Sequence, residues 1–255
     1  MEDEFYLTLP SNSSISTYGS NTTAKFTTLL PRNVTLTGSW EMALVEIHFP
    51  MTLCNVYGKQ REYSVYHGGS AHSFYRKLPL NHYSSVRELI KTLNEDLAKI
   101  SHPDRVQFFY NDQSGITVKA KDSVVLFMPD ILTLQLGFEP GEDIVAQGTS
   151  KRKPDLNLGY PSQIYVYCDI VEPQIIGDVV APLLRIVSTK AEINKFGLDI
   201  NHVFNRPFYF PVLKREFETV EIDIRTHSGH PMPFISGTSV AVLHFRQRRN
   251  HGQSE

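Results

Sequence analysis

The sequence is poor in the residues that usually announce a chemistry. It has two cysteines, Cys54 and Cys168, in 255 residues, too few for a disulfide framework. They read as reduced thiols of an intracellular protein. Neither charge is in excess: 25 Lys+Arg stand against 27 Asp+Glu, a net of −2. A dedicated duplex-nucleic-acid binder needs a basic surplus to displace counterions, so no specific nucleic acid is expected as a partner. Long apolar runs are missing too. Stretches such as Val124 to Met128 fall far short of the about 18 residues that span a bilayer, so no membrane span is expected. The opening Met1-Glu2-Asp3-Glu4 is acidic, whereas a secretory signal opens basic and continues apolar. Without a secretory route, the sequons at Asn12, Asn21 and Asn33 are ordinary polar loop and strand positions.

Catalytic and metal motifs are equally scarce. Ten histidines include no His-x-His and no His-Glu-x-x-His pair, and there is no Cys-x-x-Cys. His227 and His230 flank Ser228-Gly229, the composition of a turn with polar tips. No Gly-x-Ser-x-Gly elbow and no Gly-x-x-x-x-Gly-Lys phosphate loop occurs. Gly68-Gly69-Ser70 is a plain glycine turn. Cys54 and Cys168 lie in or beside apolar strands, where a thiol acts as a small hydrophobe. Glu221 and Asp223 share a strand face on which Arg225 relieves their repulsion. Asp169 ends an apolar run and needs a partner, for which Arg185 is a candidate. The expectation is no catalytic, cofactor or metal residue, and hence no cofactor and no enzyme.

What the sequence does have is a foldable core and a strand period. Hydrophobic residues make up 41% and charged residues 20%, outside the disordered range. A chain of this mass exposes about 11,000 Å² folded against about 42,000 Å² open, enough burial to close a core without metal or disulfide. Phe5, Leu7 and Leu9 alternate with Tyr6 and Thr8; Val220, Ile222 and Ile224 alternate with Glu221, Asp223 and Arg225. In an extended chain such sets point to opposite faces, so each segment is a strand with one buried side. Trp40 to Phe49 reads differently: Ala43, Val45, Ile47 and Phe49 on one face, Trp40, Met42 and Leu44 on the other, as in a strand covered on both sides. Ile164 to Val171 and Val240 to Phe245 read likewise. Further strands are expected near residues 22–29, 61–66, 73–78 and 183–188. Pro50, Pro161, Pro173, Pro182 and Pro211 fall at strand ends. The pattern is mainly β, a sandwich or barrel.

The middle of the chain breaks the period. From Ser85, the residues Val86, Leu89, Ile90, Leu93, Leu97 and Ile100 form a helical stripe. Ser85-Val86-Arg87-Glu88 fits a capping box, and Pro103 ends the helix. A hairpin follows, with Val106, Phe108 and Tyr110, a loop to Gly115, then Ile116, Val118 and Ala120. A short apolar segment, Pro129 to Phe138, closes on Gly137 and Pro140-Gly141. Residues 78–148 are therefore expected as an α+β insertion, one amphipathic helix plus a hairpin, with Lys151-Arg152-Lys153-Pro154 as the exposed joint where the chain returns. Residues 247–255 form a short basic polar tail, continuing from Arg246 through Arg248 and Arg249. Twelve Tyr and fifteen Phe serve the core one by one, and collectively suit a protein interface.

Several stretches together resemble one family. The fullest is Tyr165-Val166-Tyr167-Cys168-Asp169-Ile170-Val171-Glu172-Pro173-Gln174-Ile175-Ile176-Gly177-Asp178, followed by Pro182-Leu183-Leu184-Arg185-Ile186-Val187. With Phe5 to Asn12, Gly38 to Leu44, Tyr83 to Ile90, Leu136-Gly137-Phe138 and Phe217 to Arg246, it is similar to the minor capsid, or penton, protein of Maverick/Polinton elements and related adintoviruses. The specificity lies in the order and coverage of these stretches. The resemblance implies one single-jelly-roll capsid domain over residues 1–255, a homopentamer at icosahedral vertices of the virion, and a double-jelly-roll major capsid protein as its partner. It implies assembly inside the host cell and no catalysis. Tyr165 and Tyr167 are candidate subunit-interface residues if their face points outward. Two other classes remain: a β-sandwich carbohydrate- or peptide-binding module, and a β-barrel enzyme assembled from His227, His230 and Asp169.

Overall fold

The computed structural model describes residues 3–68, 73–100, 106–120, 124–193 and 195–248. The expected helix stop at Pro103, part of the Gly68-Gly69-Ser70 turn and most of the basic tail lie outside them. The chain opens with β1 (Glu4–Pro10), β2 (Lys25–Thr35) and β3 (Trp40–Pro50). It then runs through β4 (Glu62–His67), β5 (Ser73–Lys77), α1 (Val86–Leu97), β6 (Gln107–Asn111), β7 (Gly115–Lys119), β8 (Val124–Phe127), α2 (Asp130–Gln135) and β9 (Ile144–Val145). It ends with β10 (Gln163–Cys168), β11 (Gln174–Ile176), β12 (Val179–Ala181), β13 (Leu183–Ser188), β14 (Asp199–Val203), β15 (Phe210–Pro211), β16 (Glu216–Arg225) and β17 (Val240–Gln247). Two compact units result: residues 1–53 with 161–255, and residues 54–160.

The first unit holds two antiparallel sheets, β1-β17-β3-β14 and β13-β10-β16-β2. Set aside the short β11, β12 and β15, and eight strands remain. The first pairs with the last, the second with the seventh, the third with the sixth and the fourth with the fifth. One long hairpin of nested pairs, rolled onto itself, is the jelly roll. The chain passes through the second unit between the third of these strands and the fourth. The inner faces carry Phe26 from β2, Ile164, Val166 and Cys168 from β10, Val220, Ile222 and Ile224 from β16, and Ala241, Leu243 and Phe245 from β17, all buried. For β16 this is the set the alternation named; β10 and β17, expected to be covered on both faces, leave Tyr165 and Tyr167 and Val240 and Val242 half-buried on the other. The Phe245 ring stacks on Phe5 at 4.7 Å within its sheet and on Phe217 of the other sheet at 6.1 Å.

Strand β3 corrects the sequence reading. Its two apolar sets do not lie on two faces. Ala241 pairs with Ile47 and Val242 with Glu46, but Leu243 pairs with Leu44, leaving Val45 as an extra residue. This bulge flips the parity of the strand. Trp40, Met42 and Leu44 before it and Ile47 and Phe49 after it therefore share one buried face. The strand is central in its sheet; on its other face Ala43, paired with His244, is buried, while Val45, Glu46 and His48 are only partly covered.

The second unit has its own core. β4 and β5, expected by periodicity beside the sandwich strands, pair with each other and with β8 and β9 in a sheet β5-β4-β8-β9. The unit thus takes in the expected 78–148 segment together with strands before it. The α1 stripe Leu89, Ile90, Leu93 and Leu97 is buried with Tyr63, Val65, Phe108, Val118 and Leu126. Ser85 caps α1, its Oγ accepting from the Glu88 N–H at 3.2 Å. The Glu88 carboxylate reaches one residue further back than a capping box requires, accepting from the Ser84 N–H at 2.8 Å and hydroxyl at 2.7 Å. The Asn94 side chain both donates to the Phe108 carbonyl and accepts from its N–H, at 2.8 Å each, tying α1 to the β6–β7 hairpin. α2 ends in a Schellman motif, with Phe138 N–H on the Thr133 carbonyl and Gly137 N–H on that of Leu134. No helix among the described residues is long and apolar enough to cross a membrane.

Candidate assembly surface

Alternation in β10 buries Ile164, Val166 and Cys168 and turns Tyr165 and Tyr167 to the outer face of their sheet. Tyr165 stands opposite Ile186 of β13 and Arg225 of β16, and Tyr167 opposite Leu183 and Asp223. Both tyrosines are half-buried, and the Tyr165 hydroxyl donates to Gln163 Oε1 at 3.3 Å.

Beside them lies a compensated charge network. The Arg225 guanidinium forks onto Asp223 Oδ2 at 2.9 and 2.7 Å, as the strand face predicts. Lys25 spans Glu221 at 3.1 Å and Asp223 at 3.7 Å, and the Glu221 contact raises the lysine pKa. Asp169 finds a partner other than the one expected. It pairs with Lys214 and accepts the Glu221 N–H at 2.8 Å. Arg185 instead covers the rings of Phe204 and Phe208, at 4.4 and 4.0 Å, where burial pushes its pKa down. A cleft of about 310 Å³ is lined by Tyr167, Asp169, Glu221, Asp223 and Arg225. Neither His227 nor His230 lines it. Both histidines are exposed at a turn in which Ser228 Oγ and His230 Nδ1 lie 3.1 Å apart. The three residues of the enzyme alternative are thus not gathered into that cleft. Among the described residues no group of His, Cys, Asp and Glu is placed to hold a metal ion.

The cysteines behave as buried hydrophobes. Burial pushes the Cys54 thiol up to about 11 and raises that of Cys168 as well. The thiolate, the reactive form, is disfavoured at both.

The opposite sheet carries a cluster that sequence reasoning missed. His244 is buried on its outer face, stacked on Tyr6 at 4.4 Å, with Nδ1 2.7 Å from the Tyr209 hydroxyl and Nε2 3.2 Å from Glu4. Arg246 lies 3.5 Å over the Tyr209 ring and pairs with Glu41 at 2.6 Å. Tyr209 arrives from a distant loop, so no spacing in the sequence announces the group.

Large apolar side chains are also left open to water at several places in this unit, two of which bear on assembly. One is the β11–β12 hairpin, where Ile175, Val180 and Val179 are 83%, 69% and 55% exposed. The other runs from Val203 to Phe208, whose end residues are 61% and 57% exposed. Scattered exposed apolar residues are ordinary; contiguous ones mark contact surfaces.

No protein-family model and no curated protein matches the sequence. Two solved structures are similar along its whole length. The mavirus penton protein is 16% identical with a TM-score of 0.50, covering 97% of this chain and 100% of that one. A chain of the Sputnik virophage, from a cryo-EM structure, is 12% identical with a TM-score of 0.48, covering 97% and 98%. The fold is assigned from the first: this chain has the fold of the mavirus penton protein.

Proposed function

We propose that this chain is a structural virion protein, a penton or minor capsid subunit that forms homopentamers at icosahedral vertices of a capsid of the Maverick/Polinton kind. The observation that carries the reading is the whole-length likeness to a penton protein, joined to the nested eight-strand pairing of the first unit. The resemblance over residues 5–246 points the same way. The role is non-catalytic, and its place is the virion. Its partners are its own copies and a double-jelly-roll major capsid protein.

The physics of the role is a head-to-tail contact, one patch meeting a different patch on the next copy, repeated until the ring closes. Closure sets the copy number, and weak single contacts add through multivalency. Tyr165 and Tyr167, on the outward face of β10, contribute to these contacts in this reading. The test is coexpression with the major capsid protein and electron microscopy of the particles. Density for this chain at five-fold vertices is the expected result. The carbohydrate- or peptide-binding module has no observation among the described residues that favours it.

A further inference from the structure

We propose that the β11–β12 hairpin is the arm by which one copy of this chain grips the next, seated on the Val203–Phe208 stretch of its neighbour. The inference rests on the ring-forming reading above and names the surfaces that make the ring.

The hairpin is built as a fixed blade. Its strands pair Ile175 with Val180 and Ile176 with Val179 across the two-residue turn Gly177-Asp178. Only Gly177 takes a positive φ, 63°, the type II′ pattern that suits the twist of a tight hairpin. The base is anchored to the unit. Cys168 N–H donates to the Pro182 carbonyl at 3.0 Å, Glu172 N–H to that of Pro211 at 3.0 Å, and the Gln174 amide to that of Leu183 at 3.2 Å. Val171, at the root, is buried and bridges to Val212. Yet Ile175, the most exposed of the large hydrophobics, sits mid-strand. An isolated two-stranded hairpin has little stability of its own, so this sequence spends apolar residues where they gain nothing within the molecule.

The seat has the complementary character. Val203 and Phe208 are open, Phe204 and Phe208 carry the Arg185 guanidinium, and Arg206 is exposed beside them. The charges flanking the blade are Glu172 and Asp178, both exposed. An acidic, apolar blade thus faces the requirements of an apolar seat that is basic at its Phe204–Phe208 end, Glu46 standing opposite Val203 at the other. Both stay open in the isolated chain, so neither covers the other within one molecule. A second copy is the occupant that satisfies both at once, and two unlike patches give the heterologous junction that closes into a ring. A preformed blade also loses little conformational freedom on docking.

The experiment is sedimentation velocity of the full chain over a concentration series. In Ile175→Glu/Val180→Glu, ring formation should require at least about tenfold more protein, the consequence of losing central apolar anchors. Val203→Ser/Phe208→Ser on the seat should act likewise, with far-UV circular dichroism unchanged in both. Mixed together, these two defective chains retain one sound junction and should stop at a two-copy complex. Asp178→Arg and Arg206→Glu should each weaken assembly, and the chain carrying both should recover it. If the wild-type chain never assembles, the ring reading fails and this inference with it. If rings form undiminished with the blade variant, or the charge exchange restores nothing, the hairpin assignment falls while the ring reading stands. Intact rings that no longer enter shells would give the hairpin to another partner and overturn the assignment equally.

Discussion

Asp96 shows how single residues hold the second unit together. It is buried at the end of the α1 stripe, where the Tyr63 hydroxyl donates to it at 2.7 Å and the Arg76 guanidinium pairs with it. Burial alone would raise its pKa; the Arg76 and Tyr63 contacts outweigh that and hold it below the usual carboxylate value. A carboxylate depressed in the folded state stabilises it above its unfolded pKa of about 3.9, and that contribution is lost as pH falls through the lower folded value. Asp96→Asn should therefore cost about 2 kcal/mol or more near neutral pH. In urea titrations, the gap between wild type and variant should narrow once the pH drops below about 4. A gap of constant size down to pH 2 would contradict the assignment. Gly137 is a second such point. Its φ of 79° closes α2, and a Cβ there would stand 2.2 Å from the Arg152 carbonyl oxygen. Gly137→Ala should lower stability by more than about 1 kcal/mol, read as a shift of the denaturation midpoint.

Among the elements, the bulge in β3 decides most. A strand with a strict period of two cannot put Trp40, Met42 and Leu44 on the same side as Ile47 and Phe49; one extra residue at Val45 lets it. Deleting Val45 should turn one of the two sets toward water. The expected outcome is loss of the folded state, seen as collapsed near-UV circular dichroism, whereas Val45→Ala keeps the residue count and should remain folded. This element also shows where the sequence was legible. The alternation in β1 and β16 and the stripe of α1 are local signals, because each residue's face follows from its neighbours in the chain. The β3 bulge is a property of pairing with β17, which lies almost two hundred residues away, so periodicity read it as two apolar faces. For the same reason β4 and β5 were recognisable as strands while their sheet was not. Asp169 was correctly expected to need a partner, but Lys214 rather than Arg185 reaches it, and the choice depends on a crossing that no spacing encodes. The outward turn of Tyr165 and Tyr167 followed from alternation once Ile164, Val166 and Cys168 were known to be the buried set. The exposure of the β11–β12 hairpin did not, because an apolar run reads as core until its surroundings are seen.

For the whole molecule, the account joins a jelly roll of nested strand pairs to a fold likeness that covers the full chain. In the proposed role, the apolar stretches left open on the first unit are the junctions between copies of the same chain. Assembly driven by such patches depends on concentration, and dilution should release single chains from rings before it unfolds them. Sedimentation profiles taken across a dilution series should show that order.

The most direct measurement is electron microscopy of this chain coexpressed with a double-jelly-roll major capsid protein. The account predicts closed five-copy rings occupying the vertices of the resulting particles. A chain that stays single at every concentration, and is missing from shells that form around it, would contradict it.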